Sequence, residues 1–311
     1  MHGMRFSCTV AMLCASMAHA QTVDPVVIGT GQRGSIDYSV GGAICRVMNR
    51  ADPYGCAVLP TNGATDNLYA LSLGDVNFAI VPADLYRAAR FGQTGVAGDH
   101  TTLRIVASVY TESLTVITRA DSNIMRLSDL RGRRVAAGGV GSASRWTFLS
   151  VLNALGMGVG DLGSLVVQRD AANTRALCSG ELDAVVVMTG HPSMNVSRMA
   201  QTCPIRFIAP DVDEMRAVIA ANPSYRPVAI PPGIYPSAPG PVPSIGTEAA
   251  LVTDASTRDE QVGTVLTAIF GDVASFRRQQ NVLAPRPLSR GDDPASYHPA
   301  ALRFYRSRLT R

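Results

Sequence analysis

The chain has 311 residues, is 46% hydrophobic and carries a net charge of +4 from 28 basic side chains, every one of them Arg. The absence of any lysine amine excludes Schiff-base chemistry, pyridoxal phosphate attachment, Ser-x-x-Lys hydrolases and Walker-type phosphate loops. The arginines are scattered, with no aromatic-interleaved basic stripe, which argues against a nucleic-acid partner.

Residues 1–20 read MHGMRFSCTVAMLCASMAHA. Arg5 lies in a short n-region, an apolar run extends from Phe6 to Met17, and Ala18-His19-Ala20 forms an A-x-A cleavage site, so 1–20 is expected to be a signal peptide. Its apolar run is too short to span a membrane, and no later segment offers the roughly 20 apolar residues that a crossing needs. Removal of the leader would leave 291 residues and a net charge of +3 outside the cytoplasm, enough for one large or two ordinary domains.

Short apolar runs then alternate with helical patterns. Val26–Thr30, Gly55–Pro60 and Val76–Val81 read as strands. Ser35–Asn49, Asp66–Leu73 and Ala83–Arg90 read as helices. Leu103–Tyr110 and Ser113–Arg119 read as two strands, antiparallel or crossing. Beyond a helical turn at Leu127–Leu130 with Ser128 as its candidate N-cap, the rhythm repeats. Val135–Ala137, Ser164–Gln168, Ala184–Met188 and Ile205–Ile208 are expected as strands. Gly141–Leu155 gives a loop then a helix, and Ala171–Cys178, Pro192–Thr202 and Met215–Ala221 are helices. Tyr225–Ile230 is strand-like. Pro231–Pro243 holds six prolines and two glycines, so it cannot be a regular element and is expected to be an ordered surface loop. Ala249–Thr253 is a strand candidate, and Asp259–Phe270, Val273–Gln280 and Ala300–Arg308 are helices. This βαβα alternation predicts two α/β lobes, with the chain crossing after Tyr110 and returning near Tyr225. A cleft between lobes is where small ligands usually sit.

Two of the six cysteines, Cys8 and Cys14, lie in the leader. Cys45, Cys56, Cys178 and Cys203 remain, an even number expected to form two disulfides in an oxidising compartment, with three connectivities open. The sequence-local pairing, Cys45–Cys56 and Cys178–Cys203, is preferred, each tying a helix to a neighbouring strand and each worth about 3 kcal/mol by chain entropy. No C-x-x-C spacing suggests a metal.

In open α/β sheets ligands lie beyond the carboxyl ends of strands. The loops there run Gly29–Ser35, Thr61–Thr65, Pro82–Asp84, Tyr110–Ser113, Gly138–Arg145 and Thr189–Pro192. Four of the six are rich in Gly and Ser/Thr and lead into helices, whose amides suit a carboxylate or phosphate. Arg145 could add a two-pronged guanidinium. Gly29, Gly31 and Gly34 spell the G-x-G-x-x-G of a dinucleotide turn, but no acid ends the second strand at Ala57–Gly63 to hold a ribose, so a pyrophosphate is not expected. There is no G-x-S-x-G, and none of His100, His191 or His298 pairs with a serine by sequence. His191, in a cleft loop, is read as ordering its turn or as catalytic.

The stretch IGTGQRGSIDYSVGGAICR, from Ile28, resembles the opening of the TAXI solute-binding proteins of TRAP transporters. Those share G-T-G-x-x-G, then Tyr, then G-G-A and often C-R; here Asp37 and Tyr38 stand where a pair of tyrosines is common. TNGATDNL from Thr61, GDVNFAIVPAD from Gly74, LRGRRV from Leu130, GSASR from Gly141, CSGELDA from Cys178, TGHP from Thr189, and HPAALRFYR from His298 are similar to further family blocks in the same order. Asn62, Ala64, Ala83, Ala143 and Ser144 depart from the family's usual residues. The resemblance implies an α/β, two-lobed periplasmic binding protein (type II-like), its lobes joined by a hinge: 21–110 plus 226–311 as lobe 1 and 111–225 as lobe 2. It implies a receptor without chemistry or cofactor, a monomer that captures a glutamate- or 2-oxoglutarate-like carboxylate and delivers it to TRAP permease subunits. Carried over by position, the ligand contacts would be Thr30, Gly31, Ser35, Tyr38, Thr61, Asn62, Tyr110, Ser142, Ser144, Arg145 and Thr189. A receptor feeding a sensor kinase and a secreted α/β enzyme are the alternatives.

Overall fold

A computed structural model describes residues 25–50, 55–167, 170–279, 284–286 and 293–309; the expected leader lies outside them. The first half opens with strand β1 (Val26–Thr30), helix α1 (Ile36–Met48), β2 (Cys56–Pro60), α2 (Ala64–Leu73), β3 (Phe78–Pro82) and α3 (Ala83–Arg90). β2 and β3 flank β1 in parallel. Strand β4 (Leu103–Arg119) then runs unbroken for 17 residues. The expected turn at Tyr110–Ser113 is absent, because Thr111-Glu112 contains no Gly, Pro or Asn to reverse the chain and both residues pair with the neighbouring strand.

The second half follows with β5 (Arg134–Ala136), α4 (Ala143–Ala154), β6 (Ser164–Val166), α5 (Asp170–Ser179), β7 (Ala184–Thr189), α6 (Met194–Thr202), β8 (Ile205–Ile208), α7 (Val212–Ala221) and β9 (Arg226–Ile230). β10 (Val242–Asp254) returns through both halves, and α8 (Asp259–Phe270), α9 (Val273–Gln279) and α10 (Pro299–Leu309) close the described chain. The sheet runs in the order β2-β1-β3-β10-β4-β7-β5-β6, with β8 on β4 and β9 on β10. β4 and β10 pair antiparallel through Leu103–Ser113 of the one and Gly246–Asp254 of the other. Leu103–Tyr110 of β4 and Ala249–Asp254 of β10 belong to the first half, beside β3, while Ser113–Arg119 and Val242–Gly246 carry β7, β8 and β9.

Each half buries its own core. Around β1 and β3, Ile28, Ile44, Phe78, Val106, Leu266 and Ile269 pack under α1, α8 and α10, and each such side chain removed from water contributes about 1.5–3 kcal/mol. In the second half, Val116, Val135, Phe148 and Val186 form one cluster, and Ile117, Leu177, Val185 and Phe207 another. Tyr235 and Ala238 of the proline-rich loop are buried in that last cluster together with Ile230, so the loop is ordered as expected. The same packing puts 226–245 with the second half: the chain rejoins the first near Gly246, not at 226. β10 also begins earlier than expected. Pro243 is tolerated within it because Val242–Ile245 pair only with β9 among the described strands.

Local signals explain the helix starts. Ser35 caps α1 by accepting from the Tyr38 amide at 3.1 Å. α1 crosses β1 and β2 closely at Gly41, where a Cβ would stand 2.6 Å from Thr30 Cγ2 and 2.8 Å from Val58 Cγ1. The turn at Leu127–Leu130 is 3₁₀ and begins at Arg126, not Ser128, whose amide is taken by Glu214. Both disulfides pair as the sequence-local choice expects, with Cα–Cα separations of 4.9 and 5.8 Å. Cys45–Cys56 ties α1 to β2, whereas Cys178–Cys203 joins α5 to the residue that ends α6, a helix-to-helix tie instead of helix-to-strand.

Glu214 closes a capping box with Asp211 at the start of α7 and also accepts from the amides of Leu127 and Ser128 at 3.2 and 2.7 Å. Glu214→Ala removes a buried ionic acceptor from three amides. It is expected to lower unfolding stability by about 2–4 kcal/mol, read from urea denaturation, while Asp213→Ala on the exposed face of the same turn changes it by less than about 0.5 kcal/mol.

Candidate functional site

A cleft of about 240 Å³ opens where the two halves meet on β4. Three helix N-termini face it. α1 contributes Ser35 and Asp37, α4 contributes Ser144, and α6 contributes Ser193, Met194 and Asn195; Met188 and Thr189 come from the end of β7. The floor is Tyr110 and Glu112 of β4, which share a strand face by the two-residue period.

The floor is acidic. Tyr110, buried to 1% exposure, donates its phenol proton to Asp37 Oδ1 at 2.5 Å and lies 3.3 Å from Glu112 Oε1. Glu112 is 4% exposed, and its Oε2 has no hydrogen-bond partner. Burial pushes the Asp37 carboxyl up to about 6 against the opposing Tyr110 hydrogen bond. Burial and then the neighbouring charges of Asp37 and Asp84 push Glu112 well above the usual carboxylate range. No basic side chain lines the cleft among the described residues.

Of the expected ligand contacts, Ser35, Tyr110, Ser144 and Thr189 line the cleft. The others do not, for local reasons. Thr30 is fully buried, its hydroxyl donating to Leu59 O. Gly31 packs against Ser35, where a Cβ would stand 2.7 Å from the hydroxyl oxygen. Tyr38 receives a hydrogen bond from Arg33 outside the cleft. Thr61 donates to Thr30 O and lies 2.8 Å from Asn67 Oδ1, while Asn62 donates to Asp66 at the start of α2. Ser142 accepts from the Arg145 amide as the cap of α4. Arg145 itself holds a buried Nη1 without a partner and does not reach the cleft lining. Sequence reasoning placed Glu112 in a cleft loop but singled out neither it nor Asp37 nor the first turn of α6 as ligand contacts.

The loops at the rim meet across the cleft. Thr65 donates both its amide and its hydroxyl to Gly141 O at 3.1 Å. Gly63, at φ +146°, lets the backbones approach: a Cβ there would stand 3.0 Å from both Gly141 O and Ser142 Cα. A second contact lies behind the rim, where Thr147 and Tyr225 both donate to the buried Asp84 at 2.9 and 2.7 Å. His191 is held by hydrogen bonds on both ring nitrogens and lies outside the cleft lining. Its Nε2 lies 2.9 Å from the Thr115 hydroxyl and its Nδ1 2.8 Å from Tyr235 Oη, and burial pulls its pKa down to about 4, so it orders its turn as a neutral ring. No group of three or more potential metal-ligating residues exists among the described residues, and none of the described helices is long and apolar enough to cross a membrane.

Two α/β halves threaded by two shared strands, with a cleft at their junction, make up the periplasmic binding protein fold. The chain belongs to the NMT1-like family, which it matches over residues 28–308. Solved structures of similar fold include a protein of Bordetella bronchiseptica RB50, with 15% identity, covering 92% of this chain and 98% of that one at a TM-score of 0.57. The alkanesulfonate-binding protein SsuA from Xanthomonas axonopodis pv. citri bound to MOPS shows 17% identity, covering 93% and 95% at 0.53. A TctC solute-binding protein from Polaromonas shows 18% identity, covering 84% and 90% at 0.50.

Because the folded state holds the Asp37 proton more tightly than the unfolded chain, this group's stabilising contribution is complete below pH 3.8 and lost as the pH rises through about 6. The difference in urea midpoint between Asp37→Asn and the unsubstituted protein is therefore expected to move in favour of the variant between about pH 4 and 6 and to level off above. A pH-independent difference contradicts the buried-acid assignment.

Proposed function

We propose that the protein is a periplasmic solute-binding receptor of the TAXI type. It captures a small organic acid or amino acid between two hinged lobes and delivers it, unchanged, to a TRAP-type permease. The observation that carries this reading is the cleft itself. It is lined from both halves of one sheet, it is of small-molecule size, and the N-termini of α4 and α6 bring backbone amides to its second-half wall. Such helix ends favour a carboxylate. Membership of the NMT1-like family and the fold shared with solute-binding proteins support it.

In this reading the first lobe is the sheet around β1 and β3 with its helices, and the second is the sheet around β7. The hinge is the pair of strand segments at Glu112–Ser113 of β4 and Gly246–Glu248 of β10. The Thr65–Gly141 contact across the rim then belongs to the closed state. The signal peptide at 1–20 and a periplasmic location follow from the leader pattern.

The test is a thermal-shift screen with dicarboxylates, amino acids and keto acids. A true ligand at a hundred times its Kd stabilises the folded state by about 2.7 kcal/mol, a rise in Tm on the order of 5 °C for a chain of this size. Thr65→Val deletes one rim hydrogen bond without touching the cleft lining and is expected to weaken that ligand about two- to tenfold in calorimetry. No shift with any compound, or turnover of a bound one, sinks the receptor reading.

A further inference from the structure

Glu112 and Glu248 stand on neighbouring strands at the crossing between the halves, and their surroundings differ sharply. Glu248 is on the strand face it shares with Thr111, and it pairs with Arg226 and, at 2.9 Å, with Arg286. Arg226 also donates to the Thr111 hydroxyl at 2.7 Å. Glu248 Oε2, like that of Glu112, has no hydrogen-bond partner, so what separates the two acids is the pair of guanidinium groups on Glu248. Glu112, on the opposite face, lines the cleft and forms no ion pair among the described residues.

A count of protons sharpens the contrast. A tyrosine hydroxyl carries one hydrogen. The Tyr110 hydroxyl lies 2.5 Å from Asp37 and 3.3 Å from Glu112, so its proton goes to Asp37. Glu112 is thus left with one oxygen at the long end of a shared contact and the other, Oε2, with no partner at all. A buried carboxylate without donors is costly, as is a pair of carboxylates bridged by one phenol. The charges facing this pair are acidic or already neutralised: Asp84 of α3, hydrogen-bonded to Thr147 and Tyr225, and Glu248 of β10 with its two arginines. What the cleft floor lacks is positive charge, and a cationic donor supplies it together with hydrogens for both acids.

We propose that Asp37 and Glu112 form a subsite for a protonated nitrogen, so that the captured solute carries an ammonium or guanidinium group at the end lying on β4. This rests on the receptor reading and narrows it. The opposite end of the solute faces the N-termini of α4 and α6, so a zwitterion fits the cleft with its two charges in the sense the walls dictate. A dicarboxylate or keto acid of the same length would set an anion against two buried acids. Asp37 stands at a position where the TAXI resemblance leads one to expect tyrosine, which makes the subsite a property of this chain.

The experiment is calorimetric titration of the full-length mature protein with matched probes: L-glutamate against glutarate and 2-oxoglutarate, γ-aminobutyrate against butyrate, and agmatine and putrescine as cations without a carboxylate. The expected result is that an amine-bearing probe binds at least tenfold more tightly than its amine-free twin. Glu112→Gln and Asp37→Asn should each weaken that probe tenfold or more, and the twin by less than twofold. Should Glu112→Gln fail to fold, as judged by circular dichroism, Asp37→Asn carries the same comparison. Equal or tighter binding of the amine-free twin overturns the subsite and leaves the receptor reading standing. A rise in Tm with Ca²⁺ or Mg²⁺ that no amine matches overturns it in favour of a metal. If no probe binds, both readings fall.

Discussion

The antiparallel pairing of β4 with β10 is the constraint on which the molecule is built. Residues 103–113 of one strand lie against 246–254 of the other, and past Ser113–Gly246 both strands extend into the second half, where β4 pairs with β7 and β8 and β10 with β9. One set of backbone hydrogen bonds therefore fixes the position of two otherwise separate cores. Register shifts within the ladder, between Ala249 and Ala250 and between Leu251 and Val252, add local twist. The end of β7 and the first turn of α1 arrive on either side of the crossing, and the cleft forms where their helices cannot fill the space.

That placement decides the electrostatics of the site. Strand alternation sends Tyr110 and Glu112 to the cleft face and Thr111 to the other. The same two-residue period on β10 sends Glu248 away from the cleft, to arginines on β9 and at Arg286. The result is a pair of nearby acids with opposite fates: one has its charge neutralised by arginines within the fold, the other faces a cavity with no arginine in its lining. Asp37 adds to the second, held on the first turn of α1, where a negative charge is favoured by the helix amides.

Much of the scaffold was legible in the sequence because its signals are local. Ser35 before a helical stripe, Gly74 after one, and apolar runs of strand length located most elements within a residue or two, and the cysteine pairing followed from proximity. The crossing strand was harder. Thr111-Glu112-Ser113 is a polar interruption between two apolar runs and was read as a turn; the missing Gly, Pro and Asn were the available sign of continuity. The start of α7 was also available, in the Asp211-x-x-Glu214 capping box. The cleft floor was legible only in part. Tyr110–Ser113 was placed among the cleft loops and Tyr110 among the contacts, but Asp37 and Glu112 are 75 positions apart, and nothing in either segment reveals that tertiary packing places both against the hydroxyl of Tyr110. The family resemblance led toward Thr61, Asn62 and Arg145, and these serve the loops and the helix cap beside the cleft in this conformation.

The two covalent bridges divide between the halves: Cys45–Cys56 lies wholly in the first and Cys178–Cys203 wholly in the second. Each bridge thus braces one half, and neither joins the halves to each other. The two alternative pairings of the same four thiols would each stitch one half to the other. Under the proposed receptor reading, in which the halves rotate, correct pairing is as much a condition for movement as for durability.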